Sequence, residues 1–495
     1  MNVSLPRLSR TVAASLLGVP LVLLGASTRA ADEPEAARLL HDEAGAAVAV
    51  EGQREIRIAN LTGKVLLRTG KPGELRYEAR AREDRKAERP VGLWLRGGSF
   101  ELGALPGAPV EPLWVEMAIP PELSVEVDLD GAAVEVAGMH SNVVVRGSKL
   151  ELDARGIYGR VYVDAADSTI GIDGVDGDVQ VEGKTLRLKI RNVSTGATVN
   201  QSGGDLDVSD VRGGADLDVS NAVVRVKQLE EGLRLSASSG SVELQEIRKE
   251  IDLNLSDAPA VLSACDARIT IESNGEVRFK NVTGIVSFAG VGASLQSAGG
   301  RGPLEISTSG AAVTIESQNG GVKIDGDGLT VELREITGDV NVETTSSEVH
   351  IEKVSGAIAV TNDFGDVRLS GAASTARIVN LDGSVYATEI GGLLDVHGRG
   401  ERVEVDWSAM AGTGQHSIVN ETGDVVARLP ANSRCRIEVE STNGHVESEF
   451  PTVLVTEDRR FASGVLGQSQ EPLVQIRSGG DVLLTGTPGK ALPTQ

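Results

Sequence analysis

The chain has 495 residues, among them 59 Gly, 17 Pro and only 13 aromatics (6 Phe, 3 Trp and 4 Tyr). Apolar residues still make up 40%, so the composition excludes a disordered chain and points to a core of small aliphatics rather than a bulky globule. The formal net charge of −23 excludes nucleic-acid binding by phosphate neutralisation and sets the chain against anionic lipid headgroups.

Residues 1–30 read as a secretory signal. Arg7 and Arg10 form a basic start, Val12 to Gly25 an apolar run, and Thr28-Arg29-Ala30 a small-residue cleavage site. The apolar run, interrupted by Pro20, is too short for a membrane span. Cleavage is expected after Ala30. No Cys stands directly after the apolar run, so a lipoprotein is not expected. Removing Arg7, Arg10 and Arg29 with the signal takes the charge from −23 to −26. The expected location is the periplasm or the cell surface. No later stretch is apolar enough to span a membrane. Disulfides are permitted there, but the two cysteines, Cys265 and Cys435, are far apart in sequence and are expected to be free.

Residues 32–141 are predicted to form irregular β rungs and a cap. Val48, Val50, Ile56, Ile58, Val65 and Leu67 alternate as strand residues do. Residues 76–89 mix six basic with four acidic side chains, as a solvated strand or loop would.

From Asn142 to Gly392 the chain repeats every 18 residues, in fourteen units of which only 268–284 is one residue short. Positions 2, 4, 11, 13 and 16 of the unit are apolar in 67 of 70 cases. The second unit shows this as Val161, Val163, Ile170, Ile172 and Val175. The exceptions are Ser297, Gly300 and Gln318. Pairs of apolar residues two apart mark short strands, and positions 6–9 and 17–18 read as turns rich in Gly, Ser, Asn and Asp. Such a unit cannot bury its face alone, but stacking on its neighbours gives a continuous core. The prediction is therefore all-β: a single parallel β-solenoid with about 18 residues per rung. A left-handed coil of three hexapeptides would give a cleaner period of six, so the right-handed β-helix is favoured.

Residues 393–486 are predicted to form further irregular rungs and a cap, and 487–495 a tail. All three Trp (Trp94, Trp114 and Trp407) lie outside the regular units. Two segments look like internal copies: Ile119-Pro120-Pro121-Glu122-Leu123-Ser124-Val125 and Leu429-Pro430-Ala431-Asn432-Ser433-Arg434-Cys435. The second continues through Thr442-Asn443-Gly444-His445-Val446. Gly-Asp-Val turns recur at Gly338-Asp339-Val340 and Gly423-Asp424-Val425. This pattern resembles the bacterial adhesin-like family of exported β-strand-repeat proteins, a domain of unknown function. The resemblance spans nearly all of the mature chain. It implies adhesion by label only and brings no catalytic residues.

The residues themselves offer little chemistry. The six His (His41, His140, His350, His397, His416 and His445) are scattered and read as surface residues. Asp205, Asp207 and Asp210 near Asp216 and Asp218, and Asp325 beside Asp327, are the acids that could bridge calcium in an exported protein. The nonapeptide calcium repeat is absent, so they read as solvated turn carboxylates and no metal is expected. No nucleophile elbow, P-loop or dinucleotide fingerprint is present, and no cofactor is expected. Position 14 runs Arg155, Asp173, Arg191, Ser209, Lys227, Gln245, so neighbouring rungs often stack opposite or neutral groups. The expected function is a non-enzymatic, adhesin-like scaffold or binding protein of the envelope, with a protein or polysaccharide partner. The alternatives are a carbohydrate-active β-helix enzyme with its site in 76–116 or 400–475, and a protein-binding assembly or stress factor.

Overall fold

The computed structural model describes residues 38–41, 47–82, 85–86, 91–107, 112–410 and 412–487. The signal segment and residues 488–495 lie outside them, as do parts of the 76–116 segment. Among the described residues the chain is all-β, a parallel β-solenoid of about 17 turns with about 18 residues per rung. Among the described residues no helix is long and apolar enough to cross a membrane.

The register is strict. Val125 pairs with Val143, Val143 with Val161 and Val161 with Val179 on the first face. Val134, Leu152, Ile170 and Leu188 do the same on the second. The short unit keeps both faces in line: Ile269 pairs with Val286, and Ala260 with Val277, each 17 residues on. The missing residue is taken from the corner at Asn274–Glu276 between the two strands.

All 67 apolar repeat residues are buried, and so are the three exceptions, Ser297, Gly300 and Gln318. The exceptions compensate one another. Gln318 donates from Nε2 to the Gly302 carbonyl at 2.6 Å, and a Cβ on Gly300 would lie 2.1 Å from the Gln318 Oε1. Ser297 stands in register with the bulky Phe279 of the neighbouring rung.

Positions 6 and 9 depart from the expected turn. They point inward, as Gln201, Val219, Leu255 and Asn362 do at position 6 and Leu186, Ala258 and Leu329 at position 9. The reason is parity. Strand side chains alternate, so inward residues at 2, 4 and 6 need a break before inward residues at 9, 11 and 13. Position 8 supplies it with left-handed residues such as Lys149, Asp167, Thr185 and Asn221. Position 15 supplies a second break, which brings 16 inward after 13. The cross-section thus has two long faces and one short one. Polar side chains at position 6 are satisfied internally: Gln201 Nε2 donates to the Leu186 and Gly203 carbonyls, and Asn362 Nδ2 donates to Asn380 Oδ1 at 3.2 Å.

Both ends share one device. The strands Glu55–Ala59 and Gly63–Thr69 lie between an outer rung, Ser99–Ala104 with Leu113–Ile119, and the inner rung Ser124–Asp128 with Ala132–Ala137. At the other end, Leu473–Ser478 and Val482–Thr487 lie between Gln415–Asn420 with Asp424–Pro430 and the outer rung Cys435–Ser441 with Val446–Ser448. At each end a rung built from residues nearer the terminus than the outer rung fills the next-to-last place; at the N-terminal end the strands Arg38–His41 and Ala47–Ala49 stay outside it and pair antiparallel with Val91–Arg96 and Glu74–Arg82. The chain must therefore jump over one rung twice, and it does so at the two copied Pro segments. Both jumps carry the same turn, with Leu123 N–H donating to the Pro120 carbonyl at 3.1 Å and Ser433 N–H to the Pro430 carbonyl at 2.9 Å. Antiparallel strands then border the outer rungs: Glu74–Arg82 and Val91–Arg96 at one end, Phe461–Leu466 at the other. Such pairing removes open edges that would invite aggregation.

Trp407 is buried where the rung widens: Val403 pairs with Val425, 22 residues on, instead of 18. Cys265 fills a position-16 slot, and both cysteines are buried and free. Burial raises both thiols, Cys435 to about 11, so neither is a ready nucleophile at neutral pH.

Glycine closes many units because successive rungs approach closely there. A Cβ on Gly356 would lie 2.3 Å from the Gly338 backbone. Gly356→Ala is expected to cost about 1–3 kcal/mol in chemical denaturation. Gly171→Ala, whose Cβ would meet nothing nearer than 3.8 Å, is expected to change stability little. Equal effects of the two would contradict the close-approach explanation.

Candidate functional site

The short third face carries a groove. Position 15 is left-handed in all fourteen units, with φ between 52° and 72°, and in ten of them the residue is not glycine. Isolated, each such residue would cost of the order of 1 kcal/mol. The rung ladder on either side holds them in place. Side chains at 15 and 17 leave the surface on either side of the inward residue 16. Between them, from Gly156 to Asp266, runs an open groove of about 970 Å³ that crosses about seven rungs.

Its walls are polar. The position-17 wall carries Asp176, Ser194, Arg212, Glu230, Arg248 and Asp266, and the position-15 wall Asn192, Asp210, Gln228 and Glu246, an excess of three acids over the two Arg. Ser194 Oγ donates to Asp176 Oδ1 at 2.6 Å, and Asn192 Nδ2 to Asp173 Oδ1 at 2.6 Å. Tyr158 closes one end. It is 59% exposed and stacks on His140 of the preceding rung, with ring centroids 4.5 Å apart and planes 16° apart. The sequence pattern hid this groove because position 15 carries no common residue type. What recurs there is a backbone angle.

The candidate calcium acids are not brought together. Asp205 and Asp207 leave the second face and Asp216 and Asp218 the first. Asp207 lies 3.8 Å from Lys189. Asp325 points outward on the first face, and Asp327 accepts from Thr345. Among the described residues no group of three or more His, Cys, Asp or Glu side chains converges on one point. The expected charge alternation is present: Arg155, Asp173 and Arg191 stand in register, and Arg234 pairs with Asp252 and Arg377 with Asp395 across rungs. Exposed pairs of this kind add little stability each.

The 400–475 segment holds carboxylates, but they are engaged. Glu404 lies 3.2 Å from Arg402 and also contacts Arg428. Burial raises the Asp406 carboxyl, opposed by Arg428. A second concavity of about 370 Å³ lies between Glu438, Glu440, Leu454 and Phe461. There Glu438 is paired with Arg436, and Glu440 with Arg477 at 3.7 Å. Near the other end Glu55 is raised by burial, then by its hydrogen bond to Glu126 and that group's charge.

His416 departs from the expected surface placement. It is fully buried, accepts Leu394 N–H on Nδ1 at 3.2 Å and meets the Trp407 ring edge-on at 5.5 Å. Its Nε2 has no partner. Burial lowers its pKa from 6.5 to about 4.

No protein-family model, no curated protein and no solved structure matches this chain.

The buried imidazole makes stability pH-dependent. Its folded pKa lies below its unfolded value, so its contribution is complete above pH 6.5 and is lost as pH falls toward 4. The loss amounts to at most about 3 kcal/mol. Thermal melts from pH 7 to pH 4 are expected to show this decline and His416→Gln to flatten it. A variant with an unchanged slope would assign the acid sensitivity elsewhere.

Proposed function

We propose that the chain is an exported, non-enzymatic β-solenoid that acts as an adhesin-like scaffold or binding protein of the cell envelope. The carrying observation is the uniform rung. From Val125 to Ile390 the register slips by one residue only, and no loop rises from the regular stack to wall off a catalytic cleft. A wall of this kind offers a long surface with repeated spacing, suited to binding along its length. Ion pairing of Glu404, Glu438 and Glu440 supports binding over catalysis, because a general acid or base needs a proton it can exchange. The basic start and apolar run of residues 1–30 support export, and the turn motifs of the adhesin-like family support the surface role. The acidic charge supports a partner other than nucleic acid. No cofactor or metal is called for.

Purified mature chain incubated with cell-wall and exopolysaccharide panels is expected to release no new reducing ends or unsaturated products. Cell fractionation is expected to recover it outside the cytoplasm. Turnover of any panel member would replace this reading with the carbohydrate-active enzyme.

A further inference from the structure

We propose that the third-face groove binds an extended, uncharged glycan strand, with about one sugar ring per rung. This rests on the binding-protein reading above and names the ligand class of its groove.

The first argument is period. The groove crosses about seven rungs, from Tyr158 to Asp266. Rungs repeat every 4.8 Å or so, giving a run of about 30 Å. That repeat is close to the length of one pyranose unit in an extended chain. An extended peptide advances only about 3.3 Å per residue, so its side chains would drift out of step with the walls.

The second argument is the backbone. Strand addition needs free N–H and C=O groups. Here they are spent between rungs. Position-17 N–H groups donate to the position-16 carbonyl of the preceding rung: Asp176 to Ile157 at 2.7 Å, Ser194 to Val175 at 3.0 Å and Arg212 to Val193 at 2.9 Å. Recognition in this groove must go through side chains, which suits a hydroxyl-rich ligand better than a peptide.

The third argument is the side-chain set. Asn192, Gln228, Asp210, Glu230 and Arg212 present planar amide, carboxylate and guanidinium groups, which can meet neighbouring hydroxyls in pairs. Tyr158, stacked on His140 of the preceding rung, turns its ring edge and hydroxyl to a ligand lying along the groove and adds a hydrogen-bonding group at that end. Gly156 and Gly174 leave width beside it, since a Cβ on either would meet only backbone, at 3.5 Å or more. The acid excess repels polyanions, and Arg212 and Arg248 interrupt the acids that would hold a polycation.

The test is calorimetric titration of the mature chain with cello-, chito- and manno-oligosaccharides of increasing length, with alginate oligomers and an oligo-lysine peptide as contrasts. Affinity for at least one neutral series is expected to rise with each unit up to about the number of rungs in the groove and then flatten. Tyr158→Ala is expected to weaken it about five-fold, the loss of one hydrogen-bonding group at the groove end, without lowering the melting temperature. Ser194→Trp, which obstructs the middle, is expected to abolish the gain from long chains. The proposal is overturned if no neutral series binds, if affinity does not depend on length, if neither variant alters it, or if only alginate or oligo-lysine binds. A chain that captures an envelope partner equally well with both variants would overturn the glycan groove and leave the scaffold reading standing.

Discussion

The structure depends on a parallel backbone ladder that repeats every 18 residues. Each rung presents its N–H and C=O groups to the next, so whatever one rung does the neighbours must do as well. A single coil could bury neither its backbone nor its apolar face. The cross-section follows from the same constraint. A left-handed corner at position 15 of every unit, and one at position 8 in most of them, switch the parity of side-chain alternation and close the coil around a narrow lumen. Small aliphatics fit that lumen, which accounts for the scarcity of aromatics. Phe279 and Phe288 enter on adjoining rungs, close in sequence to the small exceptions Ser297 and Gly300.

A ladder has two open ends, and both are closed in the same way. The chain skips a rung at a Pro-led turn next to an outer rung bordered by antiparallel strands, and the gap is filled by residues 55–69 at one end and 473–487 at the other. The skipped rung ties residues 55–69 and 473–487 into the stack on both sides. A strand held between two others frays less readily than a last strand with one free edge.

Much of this was legible in the residues. Apolar periodicity gave the rung length, the register and all five inward positions it named. The copied Pro segments marked both ends, although their role as rung-skipping turns needed the strand pairings to be seen. Positions 6 and 9 read as turn from their residue types but point inward in the fold. Gly, Ser, Thr, Asn and Gln occur there, and the ladder satisfies them internally, as it does Gln201 and Asn362. The burial of His416 is not legible in the residues, because a lone buried imidazole leaves no pattern in the sequence. The groove was invisible because its defining property is the backbone angle at position 15, which Gly, Asn, Asp, Gln, Glu, Ser, Lys and Ala all adopt here.

The wall that carries the groove is only as regular as the ladder beneath it. The central claim is therefore that the rung is the structural unit, and deletion tests it most directly. Removing residues 197–214, one whole rung, should leave every face in register and give a cooperative thermal transition with an unchanged β-sheet circular dichroism band shape. Removing residues 197–205, half a rung, should exchange the two faces for every later residue and abolish the transition. Equal tolerance of both deletions would contradict the account.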